Sequence, residues 1–426
     1  ADTIKDESKE GEVTHFQALA TAVSGTVGNG NIAGVALAIA LGGPGATFWM
    51  VVCGFLGMST KFVECTLGVQ YRDVGEDGTV YGGPMYYISK GLKERGFEVF
   101  GKITAIIFAI FCIGGSFGGG NAAQSNQATV VLKELMGLES TGAGFWIGVI
   151  MAIVVGVIII GGIKRIASVT EKIVPFMAVL YLLACLYILG ANFSLIDDAF
   201  SLILREAFNP TAIGVGGVIG VLLVGFKRAA FSNEAGAGSA SIAHSAVKTK
   251  YSASEGLVAL LEPFIDTVVI CTMTALVIII FNFGGDASGA TIFQYGGDGA
   301  GAVLIDGVSY EGAGITSKAF AQYIPYSNVF LTVAVVLFAV STMISWSYYG
   351  LQSWKFLFGR GKAADMAYKL LFLLFVIIGA SASMNSIWAF SDAMIFAMVF
   401  PNMVGLYFLF PVVKKQLNRY IEAIKS

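Results

Sequence analysis

Long apolar segments alternate with short polar ones along the chain, and the first apolar segment is interrupted at its centre. It covers residues 16–41, which is long enough for a helix to cross a bilayer. Residues 25–34 nevertheless contain four glycines, two asparagines and a threonine. In lipid, freed backbone groups are tolerated only where protein or a water-filled cavity satisfies them. The interruption therefore predicts a binding site for a small polar solute and an ion.

The same pattern predicts an all-α membrane protein with ten transmembrane helices. Two further stretches, 83–95 and 195–208, are too polar to span and are predicted to be interfacial helices. The stretch 284–317 is rich in Gly, Asp and Ser and is predicted to be a loop. The ten spans have the limits 16–41, 45–70, 101–133, 143–163, 169–190, 211–244, 253–282, 326–354, 366–383 and 387–413.

Composition supports a membrane protein and excludes several functions. Hydrophobic residues make up 56% of the 426 residues and charged residues only 13%, about half the share of a soluble domain. A net charge of −2 gives no reason to expect a nucleic-acid partner. The five cysteines all lie in apolar segments, and only two histidines are present, so we expect no metal centre, haem or other cofactor.

The basic residues indicate the orientation in the membrane. Loops after the odd-numbered spans hold only Lys133, Arg205 and Lys318, whereas loops after the even-numbered spans are rich in Lys and Arg. Positively charged loops stay in the cytoplasm, so both termini are predicted to be cytoplasmic. Lys227 and Arg228, within span 6, are expected to extend toward the cytoplasmic side. A prokaryotic plasma membrane is the expected location.

Spans 6–10 repeat the plan of spans 1–5. Span 6 is interrupted between Phe226 and Ser239 as span 1 is, and a long loop follows the second span of each set. Five spans are an odd number, so the second set is inverted relative to the first, and paired interruptions in inverted halves point to a transporter site. The predicted organisation is an N-terminal tail (1–15), a first five-helix repeat (16–190), an interfacial connector (191–210), a second repeat (211–413) and a C-terminal tail (414–426).

Four strings of this sequence resemble the alanine or glycine:cation symporter family. The resemblance implies a leucine-transporter-like fold with broken helices 1 and 6, and sodium- or proton-coupled uptake of alanine or glycine. Family members usually have one more membrane segment before the stretch that begins at His15, and we expect this segment to be absent here. The strings are Gly28-Asn29-Gly30-Asn31-Ile32-Ala33-Gly34 with Gly42-Gly43-Pro44-Gly45, Gly82-Gly83-Pro84-Met85-Tyr86, Phe231-Ser232-Asn233-Glu234-Ala235-Gly236 and Leu261-Glu262-Pro263-Phe264-Ile265-Asp266-Thr267.

An alanine zwitterion needs N–H donors for its carboxylate, acceptors for its ammonium group and a small apolar wall. An opened helix end supplies free N–H groups, and glycine lets backbone approach closely. Gln124 is predicted to contact the substrate from a polar face of span 3, and Phe226 and Trp346 are predicted to limit the size of the pocket. The predicted substrate-binding residues are Thr26, Gly28, Asn29, Gly30, Gln124, Phe226, Ser232, Asn233 and Trp346.

A sodium ion prefers oxygen ligands, and span 8 carries hydroxyl groups at helical spacing. The predicted site resembles the ion site of the wider fold, in which hydroxyls of span 8 meet carbonyls of span 1. Local bonding of these hydroxyls to their own helix remains an alternative. The predicted cation ligands are Val27, Asn31, Ser341, Thr342 and Ser345.

Acidic residues within the spans are few. Glu64 is expected to pair with Lys61, and Glu234 with Lys227 or Arg228. If protons drive transport, Glu262 and Asp266 are the first candidates to carry them.

Three alternatives remain open. The scaffold could carry another small solute, such as a different amino acid or a nucleobase. A channel is disfavoured because the two halves are unlike and no charged rings recur. A membrane enzyme is disfavoured because no nucleophile–base pair is apparent, and the chain lacks a Walker-type phosphate loop. The oligomeric state is not predicted.

Overall fold

The computed structural model describes residues 10–140, 142–210, 216–284, 291–297 and 299–425. Within them the chain is largely helical. The helices are α1 His15–Thr26, α2 Val35–Gly42, α3 Gly45–Gln70, α4 Pro84–Glu94, α5 Glu98–Phe117, α6 Ala123–Met136, α7 Ala143–Ile159, α8 Gly162–Ala191, α9 Ile196–Phe208, α10 Gly217–Asn233, α11 Ala240–His244, α12 Ser252–Ala259, α13 Leu261–Pro263, α14 Thr272–Asn282, α15 Ala313–Ala321, α16 Ser327–Phe358, α17 Lys362–Ser381 and α18 Met384–Lys425.

Each of the ten predicted spans overlaps a helix or a chain of consecutive helices, although the start of span 6, residues 211–215, lies outside the described residues. Among the described residues, seven helices or continuous helical segments are long and apolar enough to cross a membrane. The pair α1 and α2, bent by 49° at the first interruption, would be an eighth. The number ten therefore stays a prediction.

Several long helices carry large apolar side chains on their outer faces. Ile153, Phe176, Leu183 and Phe400 are between 58% and 76% exposed. Exposure of large apolar side chains to water is unfavourable, whereas their contact with lipid tails is favourable. These faces are therefore suited to contact with the bilayer core.

Three stretches of π-helix interrupt the α-helices. They matter because they divide predicted spans 1, 3 and 7 at places where polar residues gather, and such insertions are frequent at functional sites. The stretches are Gly30–Gly34, Gly118–Ala122 and Phe264–Cys271, and a short 3-10 helix covers Phe193–Leu195.

Span 6 is broken between α10 and α11, as predicted. Glu234 follows α10 with a φ of 56°, and Gly236 and Gly238 have φ values of 92° and 84°. Only glycine adopts such values without strain, so these two residues allow the chain to leave the helix inside the protein.

The two interfacial stretches form helices α4 and α9, but the predicted loop 284–317 is more ordered than expected. Residues 285–290 and 298 lie outside the described part of the chain. The remainder contains an antiparallel hairpin, β3 Ala302–Ile305 with β4 Val308–Glu311, in which Ile305 pairs with Val308. It also contains the start of α15, where the Thr316 hydroxyl donates to the carbonyl of Ile32 over 3.1 Å. The loop prediction is therefore wrong for 302–317, because local polarity did not reveal that this segment covers the first break.

A second hairpin lies on the opposite face of the molecule, where it is bonded to the turn between α16 and α17. Strands β1 Asp73–Val74 and β2 Val80–Tyr81 pair with Asp73 opposite Tyr81. Arg360, in the turn between α16 and α17, donates to the Asp73 carboxylate over 2.5 Å. This bond lowers the pKa of Asp73 below its ordinary value, since it favours the ionised form.

Candidate functional site

Both breaks meet at the carboxylate of Asp266, which lies fully buried in the π-helical stretch of span 7. Asn31, in the first break, donates its side-chain N–H to Asp266 Oδ1 over 2.6 Å. Ser232, near the end of α10, donates to Oδ2 over 2.9 Å, and Thr267 donates to the same atom over 2.7 Å. A buried carboxylate with three donors is a strong acceptor for a cation as well.

Side-chain amides hold the backbone of the first break open. Asn31 Oδ1 accepts from the backbone N–H of Gly28 over 2.8 Å, and Gln124 Oε1 accepts from that of Asn29 over 3.0 Å. The side chain of Asn29 in turn donates to the Gln124 carbonyl. Gly28 and Asn29 are both predicted to bind the substrate, and here their backbone N–H groups face amide oxygens of the same site.

Helix α16 contacts the last turn of α1 through two reciprocal bonds. The Thr342 hydroxyl donates to the carbonyl of Ser24 over 3.0 Å, and the Ser24 hydroxyl donates to the carbonyl of Ser341 over 2.7 Å. All three residues are buried. Hydroxyl and carbonyl oxygens from both helices therefore gather at this point, and such oxygens suit a hard monovalent cation.

Other predicted cation ligands are less directly placed. The Ser341 hydroxyl donates to its own helix at Phe338, so its carbonyl rather than its hydroxyl faces α1. Ser345 Oγ is buried without a hydrogen-bond partner in the described part of the chain. Val27 ends α1 with its N–H bonded to Val23, and Asn31 lies with Asp266 rather than with Thr342.

Close backbone approaches define the walls of the site. A Cβ atom on Gly28 would lie 2.3 Å from Thr342 Oγ1, and one on Gly120 would lie 2.1 Å from Trp346 Cγ. Trp346 also donates its indole N–H to Glu234 in the second break over 2.8 Å. Trp346 is therefore held between spans 3 and 6.

The remaining predicted substrate residues lie near this centre. A Cβ on Gly30 would lie 3.4 Å from the Ser232 Cα atom. Asn233 donates to the hydroxyl of Thr267 over 2.9 Å. The Thr26 hydroxyl bonds back to Ala22 and Val23 of its own helix, which is the local bonding typical of a helical threonine.

Phe226 lies elsewhere, and the prediction that it limits the size of the pocket at the first break is wrong. Its ring packs against Trp49 of α3, with ring centroids 6.3 Å apart. The aromatic residue at the break is Phe231, whose Cδ1 atom would lie 3.6 Å from a Cβ on Gly30. Five residues rotate a helix by about 140°, which moves a side chain to another face.

Two predicted charge pairings are also corrected. Lys61 pairs with Glu262 over 3.0 Å rather than with Glu64. Glu64 instead accepts from Asn402 and from the Gly236 N–H. Glu234 accepts from Trp346 and Ser239, and not from a base of span 6.

Lys227 and Arg228 pair with Asp392, which lies near the start of α18. This is the end of the helix opposite Lys425. They therefore point away from the side where α18 ends, which the prediction took as cytoplasmic.

Comparison with known proteins shows the family of this chain. Residues 2–426 match the sequence profile of the sodium:alanine symporter family. The chain belongs to that family. Its relatives include the sodium/alanine symporter AgcS of Methanococcus maripaludis, which is 40% identical over 99% of this chain and 87% of its own length. The putative sodium/proton-dependent alanine carrier protein YrbD of Bacillus subtilis is 36% identical over 95% of this chain and 80% of its own.

A solved structure of MhsT, in complex with L-phenylalanine, superposes with a TM-score of 0.57 at 15% sequence identity. The superposition covers 96% of this chain and 99% of the MhsT chain. This likeness shows the leucine-transporter-like fold. The sodium:alanine symporter family member described here is thus a multi-pass membrane transporter.

Some residues of the candidate site were not found from the sequence. Ser24 and Phe231 carried no separate signal, because a serine in an apolar helix and a phenylalanine beside a break are both common. Thr267 follows Asp266 directly, so the adjacent hydroxyl was a signal that could have been used. Asp266 was identified as a buried acid, but its contacts with both breaks come from residues more than 30 positions away.

Proposed function

We propose that this protein is a secondary symporter that couples inward movement of Na⁺ to uptake of alanine or glycine by alternating access. The observation that carries the proposal is the convergence of both helix breaks on one buried carboxylate. Asn31 from the first break and Ser232 beside the second both donate to Asp266. A site where two moving halves share a charged group can be rearranged by a bound ion, which is what coupling requires.

The cation is proposed to bind between α1 and α16. The Thr342 hydroxyl and the carbonyls of Ser24 and Ser341 supply neutral oxygens there. The carbonyl of Val27 and the hydroxyl of Ser345 complete the set that we propose. Because these ligands belong to both helices, a bound Na⁺ would hold α1 against α16.

The substrate carboxylate is proposed to bind the backbone N–H groups of Gly28, Asn29 and Gly30, with Thr26 beside them. Two of these donors already face the amide oxygens of Asn31 and Gln124. A carboxylate is a stronger acceptor than a neutral amide, so it can replace them. The side-chain amides of Gln124 and Asn31 would then be released from these bonds. Their NH₂ or C=O groups could contact the rest of the solute.

The ammonium group is proposed to lie toward Asp266 and the hydroxyl groups of Ser232 and Thr267. A buried carboxylate gains stability from an opposite charge within hydrogen-bond distance. Asn233, which donates to Thr267, holds that hydroxyl in position. The zwitterion would therefore connect the two breaks through its two charged ends.

The walls favour a small side chain. Trp346 packs where a Cβ on Gly120 would clash, and Phe231 packs beside Gly30. One methylene more or less in such a pocket is worth about 1–3 kcal/mol, which suits selection of alanine or glycine.

The protein is proposed to lie in the plasma membrane of a prokaryote with both termini in the cytoplasm. The support is the excess of Lys and Arg in the loops on the side of the termini. The surface hairpin β1–β2 and Arg360 would then face the cytoplasm.

Radiolabelled alanine uptake into proteoliposomes tests the proposal. Sodium and pH gradients are imposed separately, with Asp266→Asn as the matched variant. We expect a sodium gradient alone to drive accumulation by the parent protein, and the variant to lose it. Accumulation driven by a pH gradient alone, with no response to sodium, would contradict sodium coupling.

A further inference from the structure

A pocket opens at the end of the molecule where α18 begins, and its charges are not used by the central site. It has a volume of about 290 Å³. The end of α2, the middle of α10 and the start of α18 surround it, and Ala300 contributes from the connector between spans 7 and 8. Its charged lining residues are Lys227, Arg228 and Asp392.

We propose that this pocket is an outer binding site in which Arg228 binds the carboxylate of an incoming amino acid before it reaches the central site. The inference rests on the proposed uptake of a small zwitterion. It adds a second, sodium-independent site with its own ligands.

The ion pairs of the pocket are incomplete. Arg228 Nη2 and Lys227 Nζ both contact the same atom, Asp392 Oδ2, over 2.5 and 2.8 Å. Arg228 Nη1 and Asp392 Oδ1 are both buried and have no hydrogen-bond partner among the described residues. An unpaired buried donor on a guanidinium is costly, so a group that satisfies it is bound favourably.

These two free atoms match the two ends of an α-amino acid. Arg228 Nη1 is a charged donor, as a carboxylate needs, and Asp392 Oδ1 is a charged acceptor, as an ammonium group needs. The pocket is lined by two basic side chains and one acidic side chain, so it carries a net positive charge. This charge attracts the carboxylate end of the amino acid first. The volume suits a small solute.

Aromatic rings separate this pocket from the central site. The guanidinium of Arg228 lies 5.3 Å from the ring centroids of both Phe231 and Trp388, whose own centroids are 4.8 Å apart. On its other side, Phe231 packs against Gly30 of the first break. The outer and central sites therefore lie on opposite sides of one aromatic pair, and movement of this pair would pass the solute from one to the other.

Protection of an introduced thiol tests the outer site directly. Ala389 lines the pocket and is exposed, so Ala389→Cys supplies a reporter. Its rate of reaction with a neutral methanethiosulfonate is followed by mass spectrometry on purified protein, with the parent chain as the background for the five native cysteines. The reaction is measured without sodium, because the proposed central site needs it and the outer site does not, and a parallel measurement with sodium is the comparison.

We expect L-alanine at ten times its dissociation constant to slow this reaction about ten-fold without sodium. Propionate, which has only the carboxylate, should also protect, whereas ethylammonium should not. Adding Arg228→Gln should remove the protection. Lys318→Gln removes one positive charge from the same face outside the pocket and should keep it. In Arg228→Gln, Lys227 still pairs with Asp392, and folding is checked by sodium-dependent alanine binding.

Protection that appears only with sodium, persists in Arg228→Gln, or is equally strong with ethylammonium would overturn the outer site. Sodium-free protection in a protein that shows no sodium-driven uptake would instead leave the outer site standing and overturn the proposed coupling.

Discussion

The Thr342 hydroxyl lies 3.0 Å from the carbonyl oxygen of Ser24, which joins the centre of α16 to the last turn of α1. The bond links the two helices that the proposed cation would bridge. Thr342→Ala removes this oxygen, and we expect the sodium concentration for half-maximal uptake to rise about ten-fold, which corresponds to about 1.4 kcal/mol. The measurement is the sodium dependence of alanine uptake in proteoliposomes.

Thr342→Ser is the matched control for this prediction, since it keeps the hydroxyl and removes only a methyl group. It should keep near-normal sodium affinity. An unchanged sodium response in Thr342→Ala, at equal protein level, would show that Thr342 is no ligand.

Asp266 gives a second prediction, because it bonds to both breaks. Asp266→Asn keeps the shape but replaces the charged acceptor, so Ser232 and Thr267 lose their strongest partner. We expect uptake to fall about 100-fold or more, since bonds to buried charged groups are worth about 1.5–3 kcal/mol each. Initial uptake rates measure this. Glu64→Gln is a control for loss of a buried acid that contacts neither Asp266 nor its donors. An equal fall in uptake in that variant would show that the effect is not specific to Asp266.

Gly28 offers a steric test with a close counterpart in the same break. A Cβ on Gly28 would lie 2.3 Å from Thr342 Oγ1, whereas one on Gly34 would come no closer than 3.9 Å to Trp388. Gly28→Ala should therefore reduce alanine binding about ten-fold or more, because overpacking costs about 1–3 kcal/mol, and Gly34→Ala should change it little. Equilibrium binding of labelled alanine compares the two. Equal affinities would place Gly28 outside the site.

Trp346 is expected to set the size limit of the solute. Trp346→Leu shortens the wall at Gly120 and also removes the N–H that Glu234 accepts. We expect the ratio of leucine to alanine uptake to rise about ten-fold. Phe226→Leu is the matched control, since Phe226 packs on α3, and it should leave the ratio unchanged. A shift of the same size in both variants would contradict the role of Trp346.

The buried Lys61–Glu262 pair predicts a stability effect away from the solute. Lys61→Met leaves Glu262 buried without its lysine, and breaking a buried pair from one side costs about 3–5 kcal/mol. Thermal unfolding in detergent should show a large fall in the midpoint. The double variant Lys61→Met with Glu262→Met should recover most of it. A double variant as unstable as the single one would show that the pair itself is not the cause.

The broken spans were predictable because glycine and asparagine inside an apolar run leave few other interpretations. Residue types near the breaks, such as Thr342 and Gln124, were also found from the sequence. The direction of side chains on span 6 was not, since the break removes the apolar periodicity that fixes helix rotation. Phe226 was therefore predicted at the break in place of Phe231. Lys227 and Arg228 were assigned to the wrong side of the molecule.

Partners of buried charges could not be predicted for a related reason. Lys61 and Glu64 are neighbours on one helix, yet Lys61 contacts Glu262, about 200 residues away. Sequence spacing reveals pairs within one helix, whereas tertiary packing selects pairs between helices. The covering segment around α15 was missed because its sequence is as polar as that of an ordinary loop.

Helix α15 is fastened at two points, through Thr316 to Ile32 and through the N–H of Ala313 to the side chain of Gln127 over 3.2 Å. The first point lies on span 1 and the second on span 3. Any rotation of span 1 against span 3 must break one of these attachments or pull the whole connector along. Under the proposed alternating access, the described part of the connector between spans 7 and 8 would therefore move with one of these spans or resist their relative rotation.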